Sequence, residues 1–104
     1  MKGLYWLGTS LDDVRGFPAE VRREIGTELF LVQRGLEPTD WKPMASVGGG
    51  VREIRIRLKS GAWRVLYVVE NDTAVYVLHA FRKTTQKTAR SDIDKGRARY
   101  ALIP

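Results

Sequence analysis

VREIRIRLKSGAWRVLYVVENDTAVYVLHAF, residues 51–81, settles the fold class. Its opening alternates: Ile54, Ile56 and Leu58 point one way, and Glu53, Arg55, Arg57 and Lys59 the other, the period of a half-buried strand. Ser60-Gly61 marks a turn. Residues 62–70 are apolar on both faces apart from Arg64, which predicts a central strand. Asn71-Asp72 makes the next turn, and AVYVLHAF, residues 74–81, returns as an antiparallel strand.

Upstream, GLYWLG (3–8) reads as a short strand. Ser10 followed by Asp13 resembles a capping box that opens a short helix with Leu11, Val14 and Phe17 on one side. Between Pro18, suited to a helix start, and Gly35, suited to the position past its end, Val21, Ile25, Leu29 and Val32 recur at helical spacing. Arg22, Arg23, Glu24 and Glu28 fall on the wet side. EPTDWKPMASVGGG (37–50) reads as a loop anchored by Trp41. Its Gly48-Gly49-Gly50 run lacks the Lys-Ser/Thr ending of a phosphate-cradling loop, so it is a turn rather than a nucleotide site. Downstream, a helix begins near Thr88 with Ile93, Gly96 and Tyr100 on one face, although glycine costs about 1 kcal/mol there relative to alanine. The sum is α+β: N-terminal helices packed on an antiparallel sheet of about four strands, with a C-terminal helix at its edge.

The 104 residues fit one domain spanning 1–104, and no apolar run approaches the length of a membrane span, so a soluble, cytoplasmic protein is expected. Cysteine is absent, which excludes disulfides and thiolate zinc sites. The net charge of +6 is unevenly spread: residues 1–47 hold six Lys/Arg against seven Asp/Glu, and residues 51–104 hold twelve against five. A basic C-terminal half suits a polyanion, because clustered cations focus field on phosphates. A merely solvated surface is the competing reading.

Three groups of residues carry the chemistry. Arg55, Arg57 and Lys59 stand on one face of their strand, roughly 7 Å apart, a spacing that suits neighbouring phosphates and equally suits a charge-protected edge strand. Arg64, in an apolar strand, must find an anion or project into an open cleft, the competing reading being an internal salt bridge with Glu53 or Glu70; Glu53 is suited to orient a neighbouring arginine. Arg82 and Lys83 close the last strand beside the donor-rich Thr84–Thr88 segment. His79, the only histidine, alternates onto one face with Val75, Val77 and Phe81, where a hydrogen-bonded structural role is as good a reading as a catalytic one. Without paired histidines or a carboxylate cluster no metal or other cofactor is expected, and any phosphate chemistry should be metal-free. RNA permits that, since its own 2′-hydroxyl can attack the adjacent phosphorus, with Tyr67, Tyr100 or Phe81 available to stack a base.

VREIRI at 51–56, G-x-W-R-V-L-Y at 61–67 and VLHAFRKTTQKT at 77–88, followed by a basic helix, resemble the small phage-derived members of the RelE/HigB toxin superfamily. The resemblance covers about half the chain. It implies a RelE-like fold and a toxin of a type II toxin-antitoxin pair that cuts mRNA on the ribosome without a metal. It assigns catalysis to Arg64, Lys83 and Arg57, and RNA binding to Arg55, Lys59, Arg82, Lys87 and Tyr100. The implied partner is a helix-turn-helix antitoxin. The alternatives are a noncatalytic nucleic-acid-binding module and an inactive toxin relative that still binds an antitoxin. The segment after Lys87 reads TA where relatives often carry TP, which leaves the general acid open between Tyr100, His79 and a lysine.

Overall fold

In a computed structural model describing residues 1–104, the doubly apolar segment lies at the centre of a five-stranded sheet. The elements are β1 (Gly3–Trp6), α1 (Ser10–Arg15), α2 (Ala19–Gln33), β2 (Trp41–Pro43), β3 (Arg52–Leu58), β4 (Gly61–Glu70), β5 (Ala74–Lys83) and α3 (Arg90–Tyr100). The strand order is β1-β5-β4-β3-β2. β2 to β5 pair antiparallel, whereas β1 pairs parallel to β5 from Gly3↔Ala74 to Trp6↔Val77. The α+β class stands as read, but the sheet is mixed and has one strand more than expected. The additional strand is β2, hidden in the presumed loop. Its three residues pair with β3 at the sheet edge, the place where Pro43 costs no ladder hydrogen bond.

Both faces of β4 are apolar, so both need cover. Val21, Ile25, Leu29 and Val32 of α2 pack on Ile54, Ile56, Trp63, Val65 and Tyr67, with Val75 and Val77 beside them. Opposite them, Leu66, Val68, Leu78 and Phe81 meet Met44, Val47 and Val51, with Ile93 and Tyr100 of α3 against them. The C-terminal helix therefore covers the second face rather than sitting at the edge. Gly96 permits that approach: a Cβ there would lie 3.0 Å from both Leu66 Cδ1 and Val47 Cγ1. Its helix-propensity cost of about 1 kcal/mol is offset by close packing. Tyr100 lies on Gly48 in the same way and donates its hydroxyl proton to the Gly49 carbonyl at 2.9 Å, which gives the glycine run its purpose.

Other local expectations shift. Thr9, not Ser10, precedes the first helix and donates its hydroxyl to Asp13 Oδ2 at 3.0 Å; Ser10 is buried and donates to the Val77 carbonyl at 3.2 Å. Pro18 and Gly35 bound α2 as read, with Gly35 at φ +83°. Glu28 is buried rather than wet, because it accepts the Thr39 N–H at 2.8 Å and fastens the segment leading to β2. The β4–β5 turn places Asn71 and Asp72 at φ 53° and 56°, a left-handed pair that Asn and Asp tolerate better than most residues. No helix is long and apolar enough to cross a membrane.

One irregularity changes a face assignment. Leu66 pairs with His79 but Tyr67 pairs with Val77, so Leu78 is an extra residue and β5 carries a bulge. Strict alternation fails beyond it. His79 and Phe81 stand on the α3 face, opposite Val75 and Val77, which corrects the grouping made from period two alone.

Candidate functional site

Register brings the cations together. Arg55 faces Arg64 across the β3–β4 pair, Arg57 faces Ala62, and Lys83 faces Ala62 from β5. Directly paired residues share a face, so four cations from three adjoining strands stand together. Arg55, Arg57, Arg64 and Lys83 line an open depression of about 380 Å³, with Ala62 between them and Thr84, Thr85 and Gln86 on the rim.

Arg64 is 4 % exposed and Glu53 fully buried. Arg64 Nε lies 3.5 Å from Glu53 Oε1, and Arg64 Nη1 donates to its neighbour's carbonyl, Trp63 O, at 2.9 Å. Arg55 pairs with Asp40 at 3.7 Å. Burial holds the Arg64 guanidinium below its ordinary pKa; Glu53 opposes this, and Arg55 and Arg57 add to it. Lys83 is likewise lowered, first by lost solvent and next by Arg64, with Glu53 again opposing. A lysine so placed releases its proton more readily than one in water.

A family model described as Phage derived protein Gp49-like (DUF891) matches residues 12–101. The chain belongs to that family. The match takes in every residue of the depression and leaves out β1. No curated protein matches the sequence.

The remaining sequence-derived candidates of this Gp49-like chain stand apart from the depression. Lys59 is exposed in the β3–β4 turn, and Lys87 is exposed beyond the rim residues. Arg82 points to the other face, its guanidinium 5.6 Å from the Trp63 ring centroid and donating to the Ser60 carbonyl at 3.2 Å. Grouping Arg82 with Lys83 overlooked that consecutive strand residues alternate. Tyr100 is committed to Gly48 and Gly49. Tyr67 is buried on the α2 face beside Arg52, away from the depression.

Lys42 escaped the sequence reading, and Thr88, read only as one donor of the Thr84–Thr88 segment, turns inward to Glu53. Lys42 of β2 reaches within 3.8 Å of Glu53 Oε1, and Thr88 donates to Glu53 Oε2 at 2.8 Å. Lys42 sat inside a proline-flanked segment whose pairing with β3 is a long-range fact, so no local signal marked it.

His79 anchors a separate network. Its Nε2 lies 2.7 Å from Asp92 Oδ1, and Arg99 Nη1 lies 3.1 Å from Nδ1. Arg99 Nη2 donates to Thr9 Oγ1 at 2.9 Å, joining α3 to the start of α1. A neutral ring that donates from Nε2 and accepts at Nδ1 satisfies both hydrogen-bond partners, with the Asp13 carboxylate farther off at 3.9 Å from Nδ1; the two bonds assign that tautomer. No group of three His, Cys, Asp or Glu side chains is arranged to hold a metal ion.

Burial lowers the His79 pKa below 6.5 and outweighs the opposing pull of Asp92, while Arg99 and Lys95 add to the lowering. The unfolded chain then binds the proton more readily, so His79 contributes stability that is full above pH 6.5 and is lost as pH falls towards the folded-state pKa. Denaturant unfolding should therefore show wild type losing more stability than His79→Gln between about pH 8 and pH 5.5. Equal losses in the two proteins would remove His79 as the source.

Proposed function

We propose that this Gp49-like protein is the toxin of a type II toxin-antitoxin system, a metal-independent endoribonuclease that cuts mRNA at the ribosome. One observation carries the reading: Arg55, Arg57, Arg64 and Lys83 line one open depression sized for a phosphodiester and its neighbours. The phage-derived family and the likeness of residues 51–56, 61–67 and 77–88 to RelE/HigB toxins support it.

In the reaction the RNA 2′-hydroxyl loses its proton and attacks the adjacent phosphorus, the P–O5′ bond breaks, and O5′ takes up a proton from solvent, so the products are a 2′,3′-cyclic phosphate and a free 5′-hydroxyl. Arg64, fixed from below, offers its remaining N–H donors to the negative charge that gathers on the non-bridging oxygens. Lys83, with its lowered pKa, moves a proton at the 2′-hydroxyl. Arg57 completes the charge around the scissile group and Arg55 holds the adjoining backbone phosphate. Lys59 and Lys87 extend the positive track outward. A helix-turn-helix antitoxin, the partner implied by the resemblance, would neutralise this basic surface.

Inducible expression with mapping of transcript ends tests the proposal. Wild type should arrest growth and leave 5′-hydroxyl ends in translated messages, whereas Lys83→Ala should leave them whole. Normal growth and intact transcripts beside abundant folded wild-type protein would reject an endoribonuclease.

A further inference from the structure

A depression that attracts phosphate should exclude carboxylates, yet a fully buried one lies beneath it. Glu53 sits on β3 between Arg64 of β4 and Lys42 of β2, and its side chain shares their face. Its two oxygens divide the contacts. Oε1 lies 3.5 Å from Arg64 Nε and 3.8 Å from Lys42 Nζ, and Oε2 accepts the Thr88 hydroxyl at 2.8 Å across 35 positions of sequence. Neither Glu53 Oε1 nor Arg64 Nε has a hydrogen-bond partner, so that pair is held by charge.

We propose that Glu53 is a positioning residue with two tasks: it orients Arg64 towards the depression, and through Thr88 it ties down the segment carrying Thr84, Thr85 and Gln86. This rests on the endoribonuclease reading. With Nη1 committed to the Trp63 carbonyl and Nε turned to Glu53, the guanidinium is fixed along one edge and its other donors are free for a ligand. The segment after Lys83 would otherwise leave the sheet with only its own short-range bonds. Thr88 brings it back to β3, so Lys83 and the rim residues are bracketed from both ends. Lys42, 37 % exposed, is the second cation to share the carboxylate, and it lies near enough to help lower the Lys83 pKa.

A carboxylate in this position opposes polyanion binding while favouring geometry, so its removal should separate affinity from rate. Glu53→Gln preserves shape and removes the charge. A noncleavable RNA with a 2′-deoxy scissile nucleotide should bind this variant as tightly as wild type or more tightly, because the site has gained net positive charge. Single-turnover cleavage of the matching RNA should fall by about 10²-fold, the scale of a misplaced reacting group. Thr88→Val, which removes only the tether, should lose roughly fivefold to tenfold with affinity unchanged. The Lys83 pKa, followed by nitrogen-detected NMR, should fall further in Glu53→Gln, since the group that stabilises its ammonium is gone.

Wild-type cleavage rates in a folded Glu53→Gln protein would overturn the proposal, as would a rate loss matched by an equal loss of RNA affinity. If Glu53→Gln does not fold, Thr88→Val decides, and unchanged cleavage there rejects the tether. If wild type itself cuts no RNA, the toxin reading fails on its own, and an unmoved Lys83 pKa in Glu53→Gln then rejects the positioning role independently.

Discussion

Arg64→Ala should reduce RNA cleavage by about 10²–10³-fold, the loss that follows removal of one preorganised donor from a developing oxyanion. It should also destabilise the fold. Glu53 would keep Thr88 and a distant Lys42 while losing its buried partner, and breaking such a pair costs about 3–5 kcal/mol. The lower end applies, because Lys42 remains 3.8 Å away. Lost activity alone would thus be ambiguous. The double replacement Arg64→Met with Glu53→Met resolves it: removing both charges leaves no orphaned carboxylate, so denaturant unfolding should recover most of the stability while cleavage stays lost. Recovery of cleavage together with stability would mean that Arg64 serves the fold and not the phosphate.

Lys83→Arg is the second large effect. Arginine keeps the positive charge but does not release a proton near neutral pH, so the variant separates electrostatics from proton transfer. If Lys83 moves the 2′-hydroxyl proton, cleavage should fall by about 10²–10⁴-fold while RNA affinity and its salt dependence hold. The pH profile carries the sign. Wild-type rate should rise with pH as the free amine becomes populated and should level above the Lys83 pKa, which lies below the ordinary 10.5. The arginine variant should show no such rise. A variant that cuts as fast as wild type would reduce Lys83 to a fixed charge.

Much of this arrangement is legible in the sequence, and unevenly so. The α2 face of Val21, Ile25, Leu29 and Val32, the central place of β4 and the common face of Arg55 and Arg57 all follow from spacing along one segment. Two tight hairpins carried that reading across strands, because a short turn fixes register and register fixes which side chains meet. Across the β3–β4 turn Arg64 therefore joins Arg55 without long-range information, whereas counting from the Asn71-Asp72 turn would set Arg82 opposite Ala62, and only the bulge at Leu78 brings Lys83 there. The interior partner offered to Arg64 also proved to be Glu53.

Alternation misled where the ladder broke. The bulge at Leu78 moved His79 and Phe81 to the other face, and a single inserted residue leaves no mark in an already apolar run. Arg82 and Lys83, neighbours in sequence, look opposite ways, as adjacent residues of a strand do.

By itself, the order of residues determined the helix and strand periods, the turn positions and the charge of one sheet face, all properties of neighbours a few positions apart. Tertiary structure alone decided that β1 enters parallel to β5, that β2 delivers Lys42 to Glu53, that Thr88 returns across 35 positions, and that α3 covers a face instead of an edge. Those outcomes depend on which distant segments exclude water from each other, and the energy of that exclusion belongs to pairs of surfaces rather than to any stretch of chain.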